Sequence, residues 1–114
     1  MSELSVPIPE NFRGVDDRFT GVIAGAPRFE LLQRAVSYTI TLEMMIDSVR
    51  LGVESVAARS RSDHAKELYA KCVESIRGAY QHYSSGQDSE GRVLLMQAHN
   101  MFRLAANKGK LWKV

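Results

Sequence analysis

Three stripes of apolar residues at helical spacing organise most of this chain. In the first, Ala35, Tyr38, Leu42, Met45, Val49, Val53 and Val56 recur every three or four residues, the period that aligns one face of an α-helix. The spacing predicts a single long helix over residues 28–59. Gly52 is a weak point within it, costing ~1 kcal/mol relative to alanine. The second stripe (Ala65, Leu68, Tyr69, Cys72, Val73, Ile76, Tyr80, Tyr83) predicts a helix over residues 63–84. Ser60-Arg61-Ser62-Asp63 ahead of it has the form of a capping box, a serine oxygen taking an orphan amide while the acid three residues on reaches back. Ser84-Ser85-Gly86-Gln87-Asp88 closes the stripe as a turn, with Gly86 suited to the left-handed conformation that ends helices. A third stripe, Leu94, Leu95, Ala98, Phe102 and Ala105, predicts a helix over residues 89–107. Asn107-Lys108-Gly109 stops it with cations and a glycine at the negative end of the dipole.

Residues 1–27 have a different texture. All 3 prolines, Pro7, Pro9 and Pro27, fall here, with Gly14, Gly21 and Gly25 between short apolar pieces. Proline lacks a backbone donor and glycine loses the most entropy on ordering, so this segment reads as an irregular arm. It is either packed locally through Phe12, Phe19, Val22 and Ile23 or free. No period-two pattern extends far enough for a strand. The expected fold is therefore all-α: an antiparallel three-helix bundle over residues 28–114, with a long first helix, behind an N-terminal arm over residues 1–27.

The composition fits one domain with a modest core. The 114 residues are 45% hydrophobic and 25% charged, ordinary globular values. The formal net charge is only +2, too small to indicate a nucleic-acid partner by itself. Its distribution says more. Arg92, Arg103, Lys108, Lys110 and Lys113 lie beyond Gly91 with no acidic residue among them, whereas Glu3, Glu10, Asp16 and Asp17 oppose Arg13 near the start. The single cysteine, Cys72, allows no intrachain disulfide and no multi-thiolate zinc site. Without a secretory start or an apolar run of membrane-spanning length, a cytoplasmic, reducing setting is expected.

Catalytic chemistry finds little support. His64, His82 and His99 include no pair at the i, i+4 spacing of a helical metal site, and each is expected to face solvent or a cap. Cys72, on the second apolar stripe, is expected to be a small core hydrophobe rather than a nucleophile. Asp16 and Asp17 are adjacent in the arm. Glu67 and Glu74 sit among Lys66, Lys71 and Arg77 as a solvated face of i, i+3 and i, i+4 pairs. Phosphate-binding glycine motifs are missing. The chain is expected to be non-enzymatic, without cofactor or metal.

The segment His64-Ala65-Lys66-Glu67-Leu68-Tyr69-Ala70-Lys71-Cys72-Val73-Glu74-Ser75-Ile76 resembles the second helix of MIT (microtubule-interacting and trafficking) domains, with its alanine and a tyrosine four residues on. Val49, Val53 and Val56 fall where the first helix of that module places apolar residues. Gln97 to Ala106 is similar to the third, with Ala105 at the small packing position. The resemblance covers about residues 43–110, and tetratricopeptide-like hairpins share its Ala/Tyr grammar. It implies an intracellular trafficking adaptor that binds a helical or extended protein segment, such as an ESCRT-III-type tail, in a groove beside the third helix. The groove would be formed around Phe102 and Arg103, with Arg92, His99 and Lys71 completing the partner-binding set. Phe102 stands where the family has a leucine, and Arg103 and Ala106 stand where it has acids. That reversal favours an acidic or extended partner over a basic tail.

Two other functions compete. The basic segment Lys108, Lys110, Trp112 and Lys113, with Arg92 and Arg103, suits nucleic acid or an anionic membrane, and would be lost with added salt. The apolar pattern from Phe29 to Val56 exceeds what a short core needs, which suits a self-assembling homo-oligomeric bundle.

Overall fold

A computed structural model describes residues 7–109. Its five helices are α1 (Phe12–Gly25), α2 (Glu30–Ala35), α3 (Leu42–Ala58), α4 (Asp63–Ser84) and α5 (Asp88–Gly109). Among the described residues there is no strand, and no helix is long and apolar enough to cross a membrane.

The N-terminal arm is helical where irregular structure is expected. Asn11 caps α1, its side chain accepting from the Gly14 amide at 2.8 Å. Phe12, Val15, Phe19 and Val22 then recur at helical spacing, and the last three are fully buried. Each fully buried side chain of this kind contributes about 1.5–3 kcal/mol. That outweighs the ~1 kcal/mol cost of each interior glycine, so tertiary packing overrides local propensity.

The long first helix expected over residues 28–59 is divided. α2 ends at Ala35, and residues 36–41 are non-helical. Val36, Thr39, Ile40 and Thr41 are β-branched and carry an entropic penalty in helices. The Gln33 side chain supports the alternative path: its Nε2 donates to the Tyr38 carbonyl at 2.8 Å and its Oε1 accepts from the Ile40 amide at 2.6 Å. Thr41 then caps α3 by accepting from the Met44 amide. Beyond this point α3 runs without a break through Gly52.

α4 occupies the expected residues, and α5 extends the expected helix by one residue at its start and two at its end. The cap of α4 is Ser62, whose Oγ accepts from the Ala65 amide. Ser60 instead accepts from the Ser62 amide, so the expected Ser60–Asp63 box does not form. Gly86 takes φ +80° in a Schellman motif, with Gln87 N–H donating to the His82 carbonyl and Gly86 N–H to that of Tyr83.

Four helices carry the architecture, rather than the expected three. α4 packs against α3 and α5, and α1 packs against the same two from the other side. α1 and α5 are antiparallel: Phe12 stacks on Phe102, while Phe19 further along stacks on His99. α4 and α5 are antiparallel too, with Cys72 Sγ bonded to the Ala98 carbonyl and Ser75 Oγ to that of Leu94. α1 thus fills the space between α3 and α5, and its buried residues join one continuous core with those of α3, α4 and α5.

Gly52 makes the α1–α3 approach possible. A Cβ there would lie 2.9 Å from Val15 Cγ2 and 3.2 Å from the Pro9 carbonyl oxygen. Gly52→Ala should therefore destabilise the protein by about 1–3 kcal/mol, the usual cost of overpacking, despite alanine's better helix propensity. A denaturant titration checks this; a variant as stable as the parent would refute the close approach.

Candidate functional site

The surface singled out from the sequence, the third predicted helix around Phe102 and Arg103, is where α1 lies. Phe102 is 0% exposed. Its ring stacks on Phe12 with centroids 5.2 Å apart and meets Phe19 and Tyr69 in tilted contacts. It is a core residue and leaves the list of partner contacts.

Asp16 is the polar link between α1 and α5. One of its carboxylate oxygens, Oδ1, accepts from His99 Nε2 at 2.6 Å and from Arg103 Nε at 2.7 Å, and Oδ2 accepts from Arg103 Nη2 at 3.1 Å. The guanidinium thus grips the carboxylate in the two-point geometry that strengthens such pairs. The Arg103 hydrogen bond, reinforced by His99, holds the Asp16 carboxyl below its ordinary pKa, against the opposing pull of burial. A carboxylate only accepts, so His99 Nε2 carries the shared proton. The His99 ring lies flat on Phe19, with centroids 4.8 Å apart. This histidine is buried, contrary to the solvent-facing reading. The signal for it lay in the sequence: His99 is one position after Ala98 and three before Phe102, at the edge of the third apolar stripe.

Outside this link, α1 and α5 border a groove of about 460 Å³, lined by Thr20, Ile23, Ala24, Arg92, Met96, His99 and Asn100. Beside it α5 exposes Val93, Met96 and Leu104, at 51%, 50% and 47%. Residues 93, 96, 100 and 104 fall on one helix face, so Val93 and Met96 lie together and Leu104 follows two turns on, with the polar Asn100 between. In the sequence these residues are masked by the polar Gln97 and Asn100 among them, which give the pattern of a solvated face.

The expected partner-binding set is thus partly gathered. Arg92 and His99 line the groove, and Arg103 is half-exposed but engaged by Asp16. Lys71 is exposed on α4 and lines no part of this groove. The basic segment is outside the account: the Lys108 side chain and all of Lys110, Trp112 and Lys113 lie beyond the described residues.

Cys72 is fully buried, and burial pushes its thiol up to about 12, which fits the expected core role. Among the described residues no group of three His, Cys, Asp or Glu side chains could hold a metal ion.

Two measurements test the α1–α5 link. Asp16's folded pKa is depressed, so its contribution to stability is present above the unfolded value near 3.8 and fades as pH falls through the folded one. The stability difference between the parent and Asp16→Asn should be about 1–3 kcal/mol near neutral pH and shrink towards zero in acid. A difference independent of pH would contradict the ion pair. Phe102→Ala should cost about 3–5 kcal/mol by calorimetry, as for a large core aromatic; a near-neutral effect would return Phe102 to the surface.

No family model, curated protein or solved structure matches this chain.

Proposed function

We propose that this protein is a non-enzymatic protein-binding module that receives a partner segment along the outer face of α5, beside the α1–α5 groove. The observation that carries this reading is the exposed stripe of Val93, Met96 and Leu104. Single exposed apolar residues are ordinary on a protein surface, but three on one helix face, two of them adjacent beside a groove, favour an interaction role. Anchors at helical spacing suit an amphipathic helix or an extended segment laid into a groove.

Charge defines the partner further. Arg92 lines the groove and is exposed, whereas Arg103 is neutralised by Asp16. An apolar segment bearing an acidic residue opposite Arg92 complements this face. The MIT-like adaptor reading, including a trafficking role and an ESCRT-III-type tail, is one form of the proposal. It needs adjustment, because α1 packs where a three-helix module would leave the third helix open.

The test is paired affinity capture with the parent and a Val93→Asp/Met96→Asp variant, after circular dichroism establishes equal helicity. A partner retained by the parent and depleted at least tenfold by the variant is expected. Identical captures would overturn the assignment. If the parent instead forms a dimer that the substitutions dissolve, the stripe belongs to a second copy of the chain.

A further inference from the structure

The opposite face of α1 borders an open cavity of about 870 Å³. Small residues make the room: Gly14, Gly21, Ala24 and Gly25 line it from α1, and a Cβ at Gly21 would meet nothing within 4 Å. Phe29 and Leu32, with Met45 of α3, add apolar wall. On the rim stands Leu31, 78% exposed. No other large hydrophobic among the described residues exceeds 51%. A lone exposed leucine is ordinary, but this one adjoins an apolar hollow, so that knob and hole form one surface. Leu31 is also the exposed part of the Phe29–Val56 run whose apolar content exceeds what a short core needs.

The knob is held in place from behind. Phe29 is buried at φ +51°, a left-handed backbone that costs a non-glycine residue about 1–3 kcal/mol. Its amide donates to the Gly25 carbonyl at 2.7 Å, and its ring packs so closely on Gly25 that a Cβ there would lie 2.8 Å from Phe29 Cδ1. The Gln33 amide donates to the Phe29 carbonyl and closes the first turn of α2, while Leu32 packs on the core. Leu31 is therefore presented on a turn already fixed, and little backbone entropy is lost when a partner covers it.

The charges divide evenly between the two parts. Arg28 and Glu30, just ahead of Leu31, form an exposed pair 3.9 Å apart, and Asp17 and Arg18 line the hollow from α1. Knob and hole thus carry one charge of each sign, and the four formal charges cancel. Such a surface favours neither anion nor cation. It does match a copy of itself, because a two-fold axis sets each part against the other.

We infer that two copies of this chain associate through this surface as a two-fold dimer. The first turn of α2 in each copy, with Leu31 at its tip, enters the hollow beside α1 of the other. Arg28 of one copy then faces Asp17 of the other, two exposed groups whose pairing sets register more than affinity. The hollow is smaller than the ~20–30 residues a side of a tight interface, so the dimer is a weak one. The outer face of α5 takes no part in it.

Sedimentation velocity on the full chain, from micromolar to millimolar concentration, tests the inference. A reversible monomer–dimer equilibrium is expected. Leu31→Asp removes the knob and Gly21→Leu fills the hole; both positions are exposed, so helicity by circular dichroism should be kept while association weakens at least tenfold. Asp17→Arg should weaken the dimer at low salt, and adding Arg28→Asp should restore it. A monomer at every concentration, or a dimer undiminished by Leu31→Asp or Gly21→Leu, would overturn the inference. So would failure of the double charge reversal to recover association. A dimer dissolved by Val93→Asp/Met96→Asp would place the second copy on α5 instead and overturn it equally.

Discussion

The stack of α1 aromatics on Phe102 is the contact on which the rest of the molecule depends. Phe12 and Phe19, two turns apart on α1, reach the same buried ring, and Tyr69 of α4 meets it as well. That ring therefore joins three helices. Because α1 occupies the space between α3 and α5, those two helices are held apart, and the bundle has four members arranged around one core. Asp16 adds direction to this apolar attraction. Its bonds to His99 and Arg103 fix which face of α1 turns inward, a specificity that dispersion and burial alone do not supply.

Much of this was legible in the sequence where burial and local propensity agree. The stripe from Ala65 to Tyr83 gave α4 its bounds, Gly86 marked a real left-handed cap, and Cys72 fell in the core as its neighbours required. The reading failed where the two disagree. In α1 the glycines obscured Phe12, Val15, Phe19 and Val22, a stripe whose value depends on helices distant in sequence. Between α2 and α3 the opposite occurred: Ala35, Tyr38 and Leu42 keep helical spacing across a β-branched run that the backbone does not follow.

The candidate site was legible only in outline. Arg92 and His99 border the α1–α5 groove, and Arg103 is close by, so the chosen helix was informative. Phe102 was assigned to the wrong side of the surface, because a groove-lining aromatic and a core aromatic share the same periodicity. Deciding between them required knowing that α1 lies across it. The asymmetry of α1 had the same origin. One face carries large residues towards α5, and the other carries glycine and alanine towards a cavity, a division that becomes meaningful only when both neighbours are in place.

Cys72 gives the bundle a built-in reporter. It is the sole thiol of the chain, and it sits fully buried at the α4–α5 seam with its sulfur on the Ala98 carbonyl. Alkylation requires the thiolate as nucleophile, a form that is both inaccessible and disfavoured there. Labelling must therefore wait for the seam to open. Its rate, compared with global unfolding, distinguishes local parting of this helical hairpin from loss of the whole fold.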